Sequence, residues 1–551
     1  MEDASPGEVI VWPADEVPKE RPAEEPEEQI LHIPAPVLAL MVDMNVTQPR
    51  VLRCTSAGLA LRWAGQALRG GVEPDLAFRC SWPTTRIGQF WSHSWHGSLW
   101  SKVLTLLLLI HGFPALCCAT LAGVVVICLS RPFMERPWEK ASLLAVICIA
   151  CGCLVTTITL LLWRSGRKVF VDQLCIHQKN QELKLEGVLS MGGFLKASDS
   201  CLVCWDSSYT ERLWCIFELA AFLKSRKTPA LAVRPTCLGP ALVLSSAGVW
   251  GAMLIAKIEE MMIEVDLKAD PLSRFMVRLA AVLLVLFTTC SLATSMFRDY
   301  HRSVEEMEQR LGQFKLKQAI CSCCSKGHIN KRTGAAILCD RIVLERCITC
   351  WFGSAEAFEE SVHLHVLPSL KRQLGPLALP YSWMVGASTP VLWMSLPSLL
   401  PFNTNLPVES FPSHYVRTTC FLISWWLAGL PLLLNVAMGL CYLLRAKRST
   451  RCREVLVNLL IPCAAGLLYG LVEGFYIFLY AMANYYYPQN KMWNDASRPE
   501  IQVTDALHAA VHQSLGVGIS MARWWLQYMQ PPWCWQSSRC TAADTAENGG
   551  S

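Results

Sequence analysis

Residues 168–227 read KVFVDQLCIHQKNQELKLEGVLSMGGFLKASDSCLVCWDSSYTERLWCIFELAAFLKSRK. This polarity is that of a soluble domain, yet apolar runs long enough to cross a bilayer stand on both sides of it. A short apolar strand, Val169–Val171, leads to Asp172, and a second, Cys201–Trp205, leads to a helix carrying Trp214, Cys215 and Glu218. Strands alternating with helices in this order predict a parallel sheet with crossover helices, and hence an α/β unit set inside a membrane protein.

Working outward, the composition agrees. Hydrophobic residues make up 52% of the 551 and charged residues 17%, against about 25% charge in ordinary soluble domains. Seven apolar runs qualify as spans, at about 103–129, 141–163, 237–257, 276–296, 382–401, 417–444 and 455–482. Pro390 and Pro397 interrupt the fifth. Basic clusters (Arg164, Arg167 and Lys168; Lys224, Arg226, Lys227 and Arg234; Arg298 and Arg302; Arg445 to Arg453) all fall on one face of a seven-span chain, which the positive-inside rule makes cytosolic. The N-terminus and the α/β domain are then cytosolic, and the C-terminal tail is external. The expected order is an acidic, Pro-rich disordered tail over 1–36 and a cytosolic segment over 37–100. A transmembrane hairpin over 101–163 and the α/β domain over 164–236 follow. Next come a second hairpin over 237–296, a Cys-rich helical region over 297–380, three spans over 381–482 and a tail over 483–551 containing an interfacial helix.

The first two spans return the chain to the face it left. The short aromatic strand in Gly88–Ser98, which ends in Ser92, His93, Ser94 and Trp95, can therefore pair with 169–171 as the first strand of one sheet split by the hairpin.

The order SHSW (92–95), VFVDQLCIHQ (169–178), EGVLSMGGFLKASDSCLVCW (186–205) and SSYTERLWCIFEL (207–219) resembles the Toll/interleukin-1-receptor (TIR) domain. Tyr209, Trp214, Cys215, Glu218 and Leu219 match that family's Tyr–x–x–x–x–Trp–Cys–x–x–Glu–Leu helix. Asp172 to Gln178 is also similar to the Asp–x–x–Cys–Ile–Asn–Gln signature of the heterokaryon-incompatibility domain, with His177 in place of Asn. The wider arrangement is similar to multi-pass proteins of protists. The resemblance implies a flavodoxin-like parallel sheet and homotypic association. In the enzymatic members it implies cleavage of NAD at the nicotinamide–ribose bond by the glutamate, here Glu218. The chain departs from the family after the Glu218 helix, where only a short strand over 230–235 precedes the third span. The family's last strand and helix are therefore expected to be missing.

Read from its own chemistry, Glu218 is either a carboxylate for ribose hydroxyls and oxocarbenium charge or a surface partner of Arg212 or Lys184. Ser207 or Ser208 is expected to cap the following helix and leave its N–H groups open to phosphate. Asp172 either binds ribose or caps the next turn. Trp214 is a stacking platform or packing. His93 and His177 form a pair if their strands are neighbours. Cys175 with His177 is a nucleophile candidate if both lie on one strand face.

Cys321, Cys324, His328 and Cys339 form a candidate zinc set in the cytosolic Cys-rich region, where disulfides are disfavoured. Glu473, deep in the seventh run, is the intramembrane carboxylate that a channel or transporter would use. No phosphate-binding glycine loop or hydrolase motif is present. The net charge of +5 is accounted for by the juxtamembrane clusters, so nucleic acid is not expected as a partner and the lipid bilayer is. The expectation is a membrane-anchored signalling or scaffold protein. NAD glycohydrolysis through Glu218 and a channel regulated by the cytosolic domain are the alternatives.

Overall fold

The structure is a computed structural model. It describes residues 42–66, 72–94, 97–130, 141–226, 230–264, 271–325, 327–328, 340–375, 379–399 and 422–486, together with 36, 39 and 419. All but the last residue of the predicted N-terminal tail and all but the start of the predicted external tail lie outside those residues, as do Trp95 and Cys339.

Six strands form one mixed sheet: β1 (Arg53–Ser56), β2 (Trp82–Pro83), β3 (Ile87–His93), β4 (Lys168–Phe170), β5 (Ser198–Trp205) and β6 (Leu231–Pro235), in the spatial order β2-β1-β4-β3-β5-β6. β3 pairs in parallel with β4 and with β5, and β5 pairs in parallel with β6. β1 runs antiparallel to β4 and β2. Two long apolar helices, α1 (Leu99–Ser130) and α2 (Ala141–Leu162), separate β3 from β4 in the chain, yet the two strands are neighbours. Gly88 permits the approach, since a Cβ there would sit 2.8 Å from the Lys168 carbonyl.

The helices between strands are α3 (Gln181–Leu189), capped by the Asn180 side chain on the Leu183 N–H, and α4 (Met191–Ala197). After β5 comes α5 (Leu213–Lys224), which buries Leu213, Cys215, Ile216, Phe217, Leu219, Ala220, Ala221 and Phe222. A helix buried on nearly all sides needs cover on both. The sheet supplies one side; the other comes from α8 (Asp340–Phe352), whose Trp351 stacks on Phe217 at 5.0 Å. Two further helices of the Cys-rich region follow, α9 (Ala355–Ser361) and α10 (Leu367–Gln373). Gln373 finishes the sheet edge. Its side-chain oxygen accepts the Val233 N–H at 2.7 Å and its amide donates to the Leu231 carbonyl at 2.9 Å, as a seventh strand would. A single core joins residues from Met44 to Leu374.

Between these parts lie α6 (Leu238–Glu264) and α7 (Pro271–Gly312). α7 runs on past its membrane-length stretch as one continuous helix through Gly312. Among the described residues five helices are long and apolar enough to cross a membrane: Leu99–Ser130, Ser142–Leu162, Leu238–Ile258, Leu279–Gly312 and α12 (Leu422–Leu443). The fifth predicted run is a helix α11 over Tyr381–Ser395 followed by a 3-10 turn over Leu396–Leu399 that contains Pro397. It runs beside α1, with Gly386 against Leu116, Trp393 donating to Thr120 Oγ1 at 3.0 Å, and Leu396 against Gly123. The seventh run is part of α13 (Arg451–Tyr486); the Glu473 side chain lies outside the described residues. Phe113, Leu121, Leu129, Leu154, Val277 and Leu284 are exposed along these helices, the apolar surface that contact with a lipid bilayer requires.

Candidate functional site

In an open parallel sheet, ligand sites gather beyond the carboxyl ends of the strands, where consecutive connections leave in opposite directions. Here that point lies between β3 and β5. The chain leaves β3 for β4 on one side, then crosses to β5 on the other. Ser92, His93 and Ser94 end or follow β3, Asp172 follows β4, and Asp206, Ser207 and Ser208 follow β5.

At the centre, Ser92 donates to Glu218 Oε2 at 2.5 Å, and the Tyr209 hydroxyl lies 2.8 Å from Ser92 Oγ. Tyr209 also donates to the Cys215 carbonyl at 3.3 Å. Ser92 and Tyr209 are fully buried, at 1% and 0% exposure, so each hydroxyl depends on these partners. Glu218 keeps some exposure but is densely surrounded, and its carboxyl is pushed up to about 8. Burial is the main cause; the Ser92 hydrogen bond opposes it, the Asp172 charge adds to it and Arg212 reduces it. Near neutrality the group is therefore mostly the acid rather than the carboxylate.

Asp172 and His93 sense each other's charge. Burial raises the carboxyl and lowers the imidazole, each countered by the partner. Asp172 Oδ1 accepts the Gln173 N–H at 2.8 Å, inside a helical turn whose N-cap position is Val171 and which has no side-chain cap. The strand reading of Cys175 and His177 is corrected, because Asp172–Cys175 is a helical turn. The Cys175 thiol is pushed up to about 12 by burial, which removes it as a nucleophile. His177 is engaged elsewhere. Its Nδ1 accepts the N–H groups of Lys179 and Asn180 at 3.3 and 3.1 Å, so Nε2 carries the proton and faces Asp75 at 3.1 Å.

The capping expectation for Ser207 and Ser208 is also corrected. α5 begins at Leu213, after a 3-10 turn over Tyr209–Glu211. Ser207 is exposed, while Ser208 Oγ lies 2.7 Å from Ser94 Oγ and bonds to Asp206. The helix N-terminus is not open to phosphate at Leu213. The Leu213 N–H donates to the Ile320 carbonyl at 3.0 Å, and the Ile320 N–H donates to the Glu211 carbonyl at 2.7 Å. Trp214 is half-buried, edge-on to Phe217 at 5.6 Å, and packs on the core.

Sequence reasoning missed a buried ion pair at this edge. Lys102, in the first turn of α1 and 4% exposed, donates to the Ser94 and Gly97 carbonyls and lies 3.5 Å from Asp206 Oδ2. Its signal was present as a lone cation at the mouth of an apolar run, with an acid directly after a buried strand. One step further on, Thr105 Oγ1 of α1 donates to the Thr236 carbonyl at 2.7 Å and accepts the Gly239 N–H at 3.0 Å, tying α1 to the base of α6.

In the zinc set, Cys321 is buried, Cys324 half-buried, and Cys339 outside the described residues; among the described residues no three such side chains converge to hold a metal. Compared with known proteins, the chain matches no family model, no curated protein and no solved structure.

Proposed function

We propose that the chain is an integral membrane protein of seven spans whose TIR-like α/β unit, split by the first hairpin, works on the cytosolic side as a signalling or scaffolding module that associates with its own kind. The observation that supports this most is closure of the edge where a ligand would bind. Ser92 bonds to both Tyr209 and Glu218, Ser208 bonds to Ser94 and to Asp206 Oδ1 with Lys102 3.5 Å from Asp206 Oδ2, and Ile320 takes the first N–H of α5. Polar groups so engaged serve to hold strand ends to helix bases. β3 and β6 run within a few residues into α1 and α6, so a change at the sheet edge is conveyed directly to the spans.

A second reading, NAD glycohydrolysis, is favoured by one observation: Glu218, held as an acid, sits beside two hydroxyls near the carboxyl end of β3. One experiment separates the two. The full-length protein in nanodiscs is incubated with NAD, nicotinamide release is followed, and the oligomeric state is read by mass photometry. Self-association without release is expected. Release that Glu218→Gln abolishes hands the function to the second reading, and a monomer without release sinks both.

A further inference from the structure

The loop from Arg445 to Thr450 and the first turn of α13 carry five cations in nine residues, Arg445, Lys447, Arg448, Arg451 and Arg453. Glu454 is the one acid between Arg445 and Asn458. Its carboxylate is turned inward, meeting Arg298 at 3.0 and 3.2 Å and Arg302 at 3.1 Å, and it also accepts the Arg448 backbone N–H at 3.1 Å. Arg298, fully buried, fixes the loop further by donating to the Leu444 and Ala446 carbonyls and to Asn458 Oδ1 at 2.8, 3.2 and 2.6 Å. Arg445 is used by Glu305 at 3.0 Å. Lys447, Arg448, Arg451 and Arg453 remain exposed, and among the described residues no acid pairs with them.

Four like charges on a pinned loop repel one another. Two of them stand in the first turn of a helix, the end that disfavours cations. Among the described residues no acid answers this charge, which leaves it open to a counter-charge from outside. The surroundings say from where. Leu443 on one side, and Val455 and Leu456 on the other, are 71%, 56% and 54% exposed, and the loop follows directly on the membrane-length helix α12. An apolar rim with a cationic centre at the end of a span faces the headgroup layer.

We propose that this loop is a binding surface for polyanionic phospholipid headgroups, those bearing more than one phosphate, in the leaflet on the side of the α/β unit. A headgroup of three or four negative charges matches four fixed cations better than the single charge of a serine lipid does. The anchoring of the loop to α7 through Arg298 and Arg302 lets occupancy reach the α/β unit, because α7 also bonds to it, Tyr300 donating to the Leu374 carbonyl at 2.9 Å.

The test uses full-length protein in detergent, titrated with short-chain phosphatidylinositol bisphosphate, short-chain phosphatidylserine and soluble inositol trisphosphate. Binding is read by native mass spectrometry and tryptophan fluorescence. The bisphosphate lipid is expected to bind best, to weaken with rising salt, and to lose roughly a hundredfold in affinity in the combined variant Lys447→Gln, Arg448→Gln, Arg451→Gln. Equal binding of phosphatidylserine, or an unchanged triple variant, overturns the proposal. Soluble inositol trisphosphate binding as tightly as the lipid overturns it in favour of a free-phosphate site. The inference rests on the long helices being spans. A chain that stays dispersed without detergent sinks that reading, whereas a detergent-extracted chain indifferent to the lipid sinks only this one. Unfolding temperature, measured alongside, is expected not to fall in the triple variant, because its side chains are exposed and the charges removed repel one another.

Discussion

Glu218 keeps its proton at a pH where most glutamates have lost theirs, and that single fact ties site chemistry to folding. Its folded value of about 8 lies above the ordinary 4.5. Between those values the folded chain holds a proton that the unfolded chain has released. Stability from this group is therefore full below about 4.5 and declines as pH rises through about 8. Glu218→Gln mimics the neutral acid and removes the dependence. Its unfolding temperature is expected to gain on wild type steadily between pH 5 and pH 8, and the advantage to vanish in acid. The slope cannot exceed about 1.4 kcal/mol per pH unit and is smaller because the group is partly exposed. Parallel curves for the two proteins across this range would show that the carboxyl titrates normally. At this scale Glu218 was legible as a candidate from its place in the chain and Ser92 as the end of a strand, but no role was read for Ser92. What spacing could not convey was that Ser92 stands between Tyr209 and Glu218 and bonds to both, because the Ser92–Glu218 contact joins residues 126 positions apart.

At the scale of the element, α5 carried an unread message. Its sequence, LWCIFELAAFLK, is apolar on almost every face. Such a helix cannot lie on the surface of a small sheet. Taken at its word, it demands a second covering layer, which here arrives more than a hundred residues later as α8 to α10. The strands β3, β4, β5 and β6 were readable from short apolar runs, whereas β1 and β2 were not, being two to four residues long and without alternation. The edge device at Gln373 was also invisible, since one glutamine acting as a strand leaves no pattern. It is testable alone. Gln373→Ala strips the partner from the Val233 N–H and the Leu231 carbonyl, with an expected cost of about 1–3 kcal/mol. Amide exchange at Val233 is expected to speed up while amides in β3 stay protected; unchanged exchange at Val233 would mean that another group already satisfies the edge.

At the scale of the whole molecule, sequence order and spatial order disagree in a way that governs what can fold alone. The stretch 164–236 looks like a domain because it is the polar island between two apolar hairpins. Its sheet, however, has β3 at the centre, paired on both sides, and β3 lies before α1. Without β3, strands β4 and β5 have no common neighbour, and Phe90, Trp91 and Ser92 leave a gap in the core and at Glu218. The outer face of α5 would equally lack Trp351. A fragment of residues 164–236, produced alone, is therefore expected to be unfolded, with collapsed amide dispersion in a proton–nitrogen correlation spectrum and no cooperative thermal transition. The full-length protein in detergent is expected to melt its sheet and the helices at 340–373 together. A well-dispersed spectrum from the fragment would show that the island is self-sufficient, and that the long helices are hung on a finished domain rather than threaded through it. The opposite outcome carries the functional argument, because a sheet whose central strand enters α1 and whose edge strand enters α6 cannot change shape without moving both.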